Sequence, residues 1–133
     1  MKPLSWLFVL LVVTGCGAVK ESTYRPLDYS GGYREVQLDV DTYKVEFLGN
    51  DFTSSVVAGD YALLRSADVC LAAGYPYFSQ LSGAQSEHLS GGYGIVAAQG
   101  RATYFIKCEK EKTGPSSISA EFTSRSLRQK YKL

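Results

Sequence analysis

His88 is the single histidine of this 133-residue chain, and the side chain whose unperturbed titration lies nearest neutrality. A hydrolytic triad would have to use it. It stands beside Glu87 in a polar stretch with no Gly-x-Ser-x-Gly elbow, so it reads as a solvent-exposed side chain. Asp60 and Asp68 are the next candidates, because paired carboxylates can divide acid and base roles in a buried site. The simpler reading gives each a local structural role. Asp60 complements a helix N-terminus, and Asp68 pairs with Arg65 at i,i+3 spacing. Gly91-Gly92-Tyr93-Gly94 has the glycine density of a phosphate cradle. It lacks the strand before, the helix after and the lysine, so it reads as a flexible loop. The rings of Tyr75-Pro76-Tyr77-Phe78 could stack on sugars; packing is the commoner use. No catalytic constellation emerges. The expectation is a chain that is not an enzyme, with no metal and no cofactor.

The thiols are more informative. Cys16 ends Val13-Thr14-Gly15-Cys16, behind Lys2 and the ten-residue apolar run 4–13. That run is too short to span a bilayer and suits the apolar region of an export signal cut beside small residues. The tetrapeptide looks like a bacterial lipobox, in which the cysteine is acylated and becomes the first residue of the mature chain. Residues 1–15 are then the leader and Cys16 the lipidation site. By likeness to enteric lipoproteins, Gly17 in place of aspartate favours the outer membrane.

Cys70 and Cys108 remain, an even number in an oxidising compartment, and read as a disulfide. Cys70 lies on the apolar stripe of a helix, and Cys108 follows Tyr104 and Ile106 on one face of a strand. If the helix covers that face, both sulfurs enter one layer. The competing readings are two buried free thiols, or a strand turned so that Phe105 faces the core and Cys108 points away. There is no Cys-x-x-Cys and no cysteine–histidine spacing of a zinc site.

Composition narrows the class. The leader removes one cation, Lys2, so the 14 Lys and Arg of the whole chain fall to 13 against 13 acids. A neutral balance argues against nucleic acid as a partner, which would need a basic face. Ten tyrosines and thirteen glycines suit strands with many turns.

Positioning these residues requires the following elements. Residues 16–31, polar and containing Pro26, read as the lipidated cysteine and a tether. Residues 32–133 read as one α+β domain. Val36, Leu38 and Val40 alternate with Glu35, Gln37 and Asp39, and Tyr43, Val45 and Phe47 with Lys44 and Glu46, which predicts a hairpin. Thr53, Ser54 and Ser55 offer N-caps for a helix that Gly74 stops. Its predicted buried face carries Val56, Leu63, Leu64, Ala67, Cys70 and Leu71, with Arg65, Ser66 and Val69 opposite. A strand over 75–81, a long polar loop over 82–94, a short strand over 95–98 and a strand over 102–109 follow. A short C-terminal helix is expected from Ser119. The expected fold is a small two-layer sandwich, an antiparallel-rich sheet of about four strands packed by one main helix in the order ββαββ.

Several of these stretches resemble a family of small bacterial cell-envelope lipoproteins whose function is not established. They are Gly32-Tyr33-Arg34-Glu35, Phe47-Leu48-Gly49-Asn50, Asp60-Tyr61-Ala62-Leu63-Leu64-Arg65 and Gly74-Tyr75-Pro76-Tyr77-Phe78. Family members tend to carry glutamate where Asp68 stands. The plan is also similar to the enteric outer-membrane lipoprotein that senses envelope stress, at the level of fold alone. The resemblance implies an exported lipoprotein and brings no catalytic residues.

The expected function is therefore a non-enzymatic, lipid-anchored envelope protein exposing a small interaction or structural domain in the periplasm. The alternative is a sensor or accessory subunit of a larger outer-membrane assembly. The expected partners are the membrane, through the lipid, and an envelope protein or peptidoglycan. Arg125, Arg128, Lys130 and Lys132 are candidates for contact with an anionic surface.

Overall fold

The structure is a computed structural model and describes residues 22–92 and 95–133, with the side chains of 90–92 and 95–98 left aside. The leader, Cys16, residues 17–21 and Tyr93-Gly94 lie outside the described residues. Five strands and two helices follow one another as β1 (Gly32–Asp39), β2 (Thr42–Leu48), α1 (Ser55–Ala72), β3 (Tyr77–Gly92), β4 (Ile95–Glu109), β5 (Ile118–Ser119) and α2 (Ala120–Tyr131). All strand pairs are antiparallel, in the order β1-β2-β4-β3-β5. The fold is the α+β sandwich expected, with a two-residue fifth strand added at one edge.

Local chemistry sets the bounds of α1. Ser54 is the N-cap, its Oγ accepting the Val57 N–H at 3.2 Å. At the other end Gly74 adopts φ +85°. The Tyr75 N–H then reaches the Cys70 carbonyl at 2.8 Å and the Gly74 N–H the Leu71 carbonyl at 3.0 Å, the paired bonds of a Schellman stop. Gly100 lets β4 press against the start of this helix, since a Cβ there would meet the Ser54 backbone. Its N–H and carbonyl bond Thr53 and Gly49.

The core lies between α1 and one sheet face. Val45, Phe47, Phe78, Ala102, Tyr104, Ile106 and Cys108 meet Ala58, Tyr61, Ala62, Ala67 and Cys70 there. The helix face differs from the expected one. Val56 and Leu71 are exposed, whereas Ser66 and Val69 are buried. Two partners cover α1, the sheet and α2, so its buried arc is wider than one stripe. Ser66 is tolerated inside because its hydroxyl donates to the Ala62 carbonyl at 2.8 Å.

Three further expectations are corrected. In β1 the alternation is present but inverted: Val36 and Leu38 are exposed, as is Val40 in the turn that follows. Tyr33 and Glu35 pair with Phe47 and Val45 and so share the helix side. Arg65 of α1 explains the inversion. It bonds Glu35 at 2.5 and 2.9 Å and lies 4.2 Å over the Tyr33 ring. The loop expected over 82–94 is strand through Gly92, and the two strands expected at 95–98 and 102–109 are one. β3 and β4 pair from Tyr77↔Glu109 to Gly92↔Ile95, with one irregularity at Gln80/Ser82.

The tether ends sooner than its composition suggests. Ser22 is buried, its N–H bonded to Thr53 Oγ1 at 3.0 Å and its Oγ to the Ser30 carbonyl at 2.7 Å. The Tyr24 ring packs 4.7 Å from Tyr33 and 5.8 Å from Tyr61. Residues 22–31 therefore belong to the folded unit.

Candidate functional site

Asp60 and Asp68 both face α2, but as fastenings. Asp68 accepts the Tyr24 hydroxyl at 2.6 Å, the Ser124 hydroxyl at 2.8 Å and Arg128 Nη2 at 2.6 Å. Asp60 accepts Lys130 Nζ and the Tyr131 hydroxyl, each at 2.6 Å. Neither lines the surface grooves formed by residues 27–31 with 48–52, by Asp41 with residues 107–111, or by Pro26 and Leu27 with Arg65. The local roles expected from the sequence are thus corrected: Arg65 serves Glu35, and both aspartates serve the C-terminal helix. Burial first, then the bond to Asp68 and its charge, push the Tyr24 hydroxyl well above the ordinary tyrosine range, against the pull of Arg65. Tyr24 is therefore a fixed donor.

The candidate basic tail is half consumed by the same contacts. Arg128 and Lys130 hold the two aspartates. Arg125 stands 3.8 Å from Glu121 with both side chains largely exposed, a pair that contributes little. Lys132 caps the helix at φ 55°. The tail is a docked helix rather than a solvated arm, leaving Arg125 and Lys132 as its outward cations.

Cys70 and Cys108 form a disulfide, their Cα atoms 5.4 Å apart and both residues buried. Tyr104, Ile106 and Cys108 are the buried face of β4, so the reading with Phe105 inward is excluded. His88 is exposed, on β3 rather than in a loop. Phe78 is fully buried core, and Tyr75 carries Lys110 Nζ 4.3 Å over its ring. Among the described residues no group of three or more His, Cys, Asp or Glu converges as a metal site. No described helix is long and apolar enough to cross a membrane.

A shallow groove of about 410 Å³ lies where the described chain begins, between residues 27–31 and the 48–52 turn. Turn chemistry builds both walls. Asp28 Oδ1 accepts the Ser30 N–H and hydroxyl at 2.8 and 2.7 Å, bonds that hold its carboxyl below the ordinary range. Gly31 and Gly32 follow with φ +104° and +141°, values that favour glycine. Asn50 Oδ1 accepts the Phe52 N–H at 3.0 Å, and Gln99 Nε2 donates to Asp51 Oδ1 at 2.6 Å. Leu27, Tyr29 and Phe52 project from these turns, with Tyr29 fully exposed and Phe52 at 56%. The sequence signal for this site was available in Pro26–Gly32 and Gly49–Asp51, two turn-rich stretches that bracket β1 and β2. Their meeting follows only from the antiparallel register that sets Gly32 opposite Leu48.

No protein-family model, curated protein or solved structure matches the chain.

Proposed function

We propose that this chain is a lipid-anchored protein of the cell envelope. Residues 1–15 direct export, Cys16 carries the lipid, and the folded unit is a small non-enzymatic interaction or structural domain on the periplasmic side of the outer membrane. The observation that carries the reading is the buried Cys70–Cys108 bridge. Such a bridge persists in an oxidising compartment, and the leader pattern ahead of Cys16 independently calls for one.

Two or more acyl chains give stable anchoring where one is marginal. Cys16→Ser is expected to release the protein from membranes or to leave it unprocessed. The test is membrane fractionation together with N-terminal analysis. Unchanged fractionation with an unchanged N-terminus contradicts the anchor. Recovery solely with inner-membrane fractions contradicts the outer-membrane placement.

A further inference from the structure

Five residues, 17–21, separate Cys16 from Ser22, which is already buried in the fold. At full extension the Cys16-to-Ser22 span reaches at most about 20 Å. A domain of this size is roughly 30 Å across. An anchor at Cys16 therefore holds the domain on a leash shorter than its own width, and the end from which the leash emerges stays nearest the bilayer.

That end is the groove. Ser22 bonds Thr53 and Ser30, and Ser30 lines the groove with Leu27, Tyr29 and Phe52. Leu27 is 38%, Phe52 56% and Tyr29 102% exposed. Tyrosine is favoured at the membrane interface, where its ring is apolar and its hydroxyl wet. The charges nearby are few and of both signs: Arg25 pairs with Asp28 at 3.3 Å, Asp51 accepts from the neutral Gln99 amide, and Arg101 also lines the groove. The other end of β1 and β2 is different in kind. There Asp41, Lys107, Glu109, Lys110 and Glu111 line a second, charged groove, about 20 Å farther along β4 at the usual rise per residue.

We propose that the groove end is a membrane-contact surface, with Leu27, Tyr29 and Phe52 seated in the interfacial layer of the bilayer that holds the Cys16 lipid. This rests on lipidation at Cys16 and adds which end of the domain meets the lipid. The charged end then faces away. Because the three side chains of the contact, Leu27, Tyr29 and Phe52, carry no charge, and the acids and Arg101 of the groove oppose one another in sign, it does not depend on anionic lipid.

The mature chain contains no tryptophan, since the single one is Trp6 in the leader. Phe52→Trp and Tyr29→Trp are thus clean reporters at exposed positions, and Lys112→Trp reports on the far end. The lipidated proteins would be reconstituted in zwitterionic vesicles containing brominated phospholipid, with intact mass measured on the same samples. The expected result is strong quenching of both groove reporters and none at Lys112, insensitive to salt. An acylated Cys16 with no lipid quenching at Phe52 and Tyr29 overturns the orientation while leaving the anchor standing. An unacylated Cys16 overturns both. Groove reporters shielded from an aqueous quencher but untouched by bromolipid would mean that protein covers the groove, and would also overturn the proposal.

Discussion

Glu46 sits on the sheet face that the helices leave open, between Arg34 Nε at 2.6 Å and Lys44 Nζ at 3.0 Å, with its side chain 15% exposed. Burial works against its charge. The bonds from Arg34 and Lys44 outweigh that penalty, so the folded carboxyl lies below its ordinary value of 4.5. The unfolded chain therefore takes up this proton first as pH falls. Stability from Glu46 is complete above about pH 4.5 and is lost as pH drops through the lower folded value. Glu46→Gln should flatten the acid limb of stability against pH, measured by urea melts at fixed pH. An acid limb identical to that of the parent would contradict the assignment. The charges of β2 were legible from Lys44 and Glu46 alternating with Val45 and Phe47. Their partner Arg34 was not, because it comes from the register with β1.

At the scale of elements, α2 is fastened more by polar contacts than by a core. Only Ala120 and Thr123 of its twelve residues are buried, and Phe122 is exposed. Asp68→Ala removes the acceptor shared by Tyr24, Ser124 and Arg128, and should cost about 1–3 kcal/mol. Hydrogen exchange should quicken in α2 well beyond any change in α1, because the helix loses its anchor while the sheet layer remains. Uniform acceleration across both helices would mean that α2 is held elsewhere.

The sequence marked the ends of α1 because capping is local: Ser54 and Gly74 suffice. It did not mark the whole buried arc, which depends on α2 arriving from the far end of the chain. It misplaced Ser82–Gly92 for a related reason. Gln80–Leu89 are all exposed, so no apolar alternation reveals the strand, and the pairing with β4 alone makes it one. In β1 the alternation gave two faces without saying which was inside, because Arg65 supplies a partner that lets Glu35 face the helix.

At the scale of the whole molecule, the structure holds one bridge, and the proposed lipid anchor adds one leash. The disulfide joins α1 to β4 across 38 residues, and closing a loop of that length restricts the unfolded chain by about 3–4 kcal/mol, a large share of the stability of so small a domain. The pairing was legible because Cys70 and Cys108 each fell on an apolar face. The start of the folded unit at Ser22 was not legible, because Ser22–Ser30 is polar and aperiodic, held by turn bonds and a tyrosine stack rather than by a hydrophobic period. The most direct test is the intact mass of the protein extracted from membranes without reduction, after treatment with an alkylating reagent. The account predicts a chain beginning at an acylated Cys16 that takes no alkyl label until it is reduced, after which Cys70 and Cys108 both react. A chain that begins at Met1, a free thiol at Cys16, or labelling of Cys70 and Cys108 without reduction would contradict it.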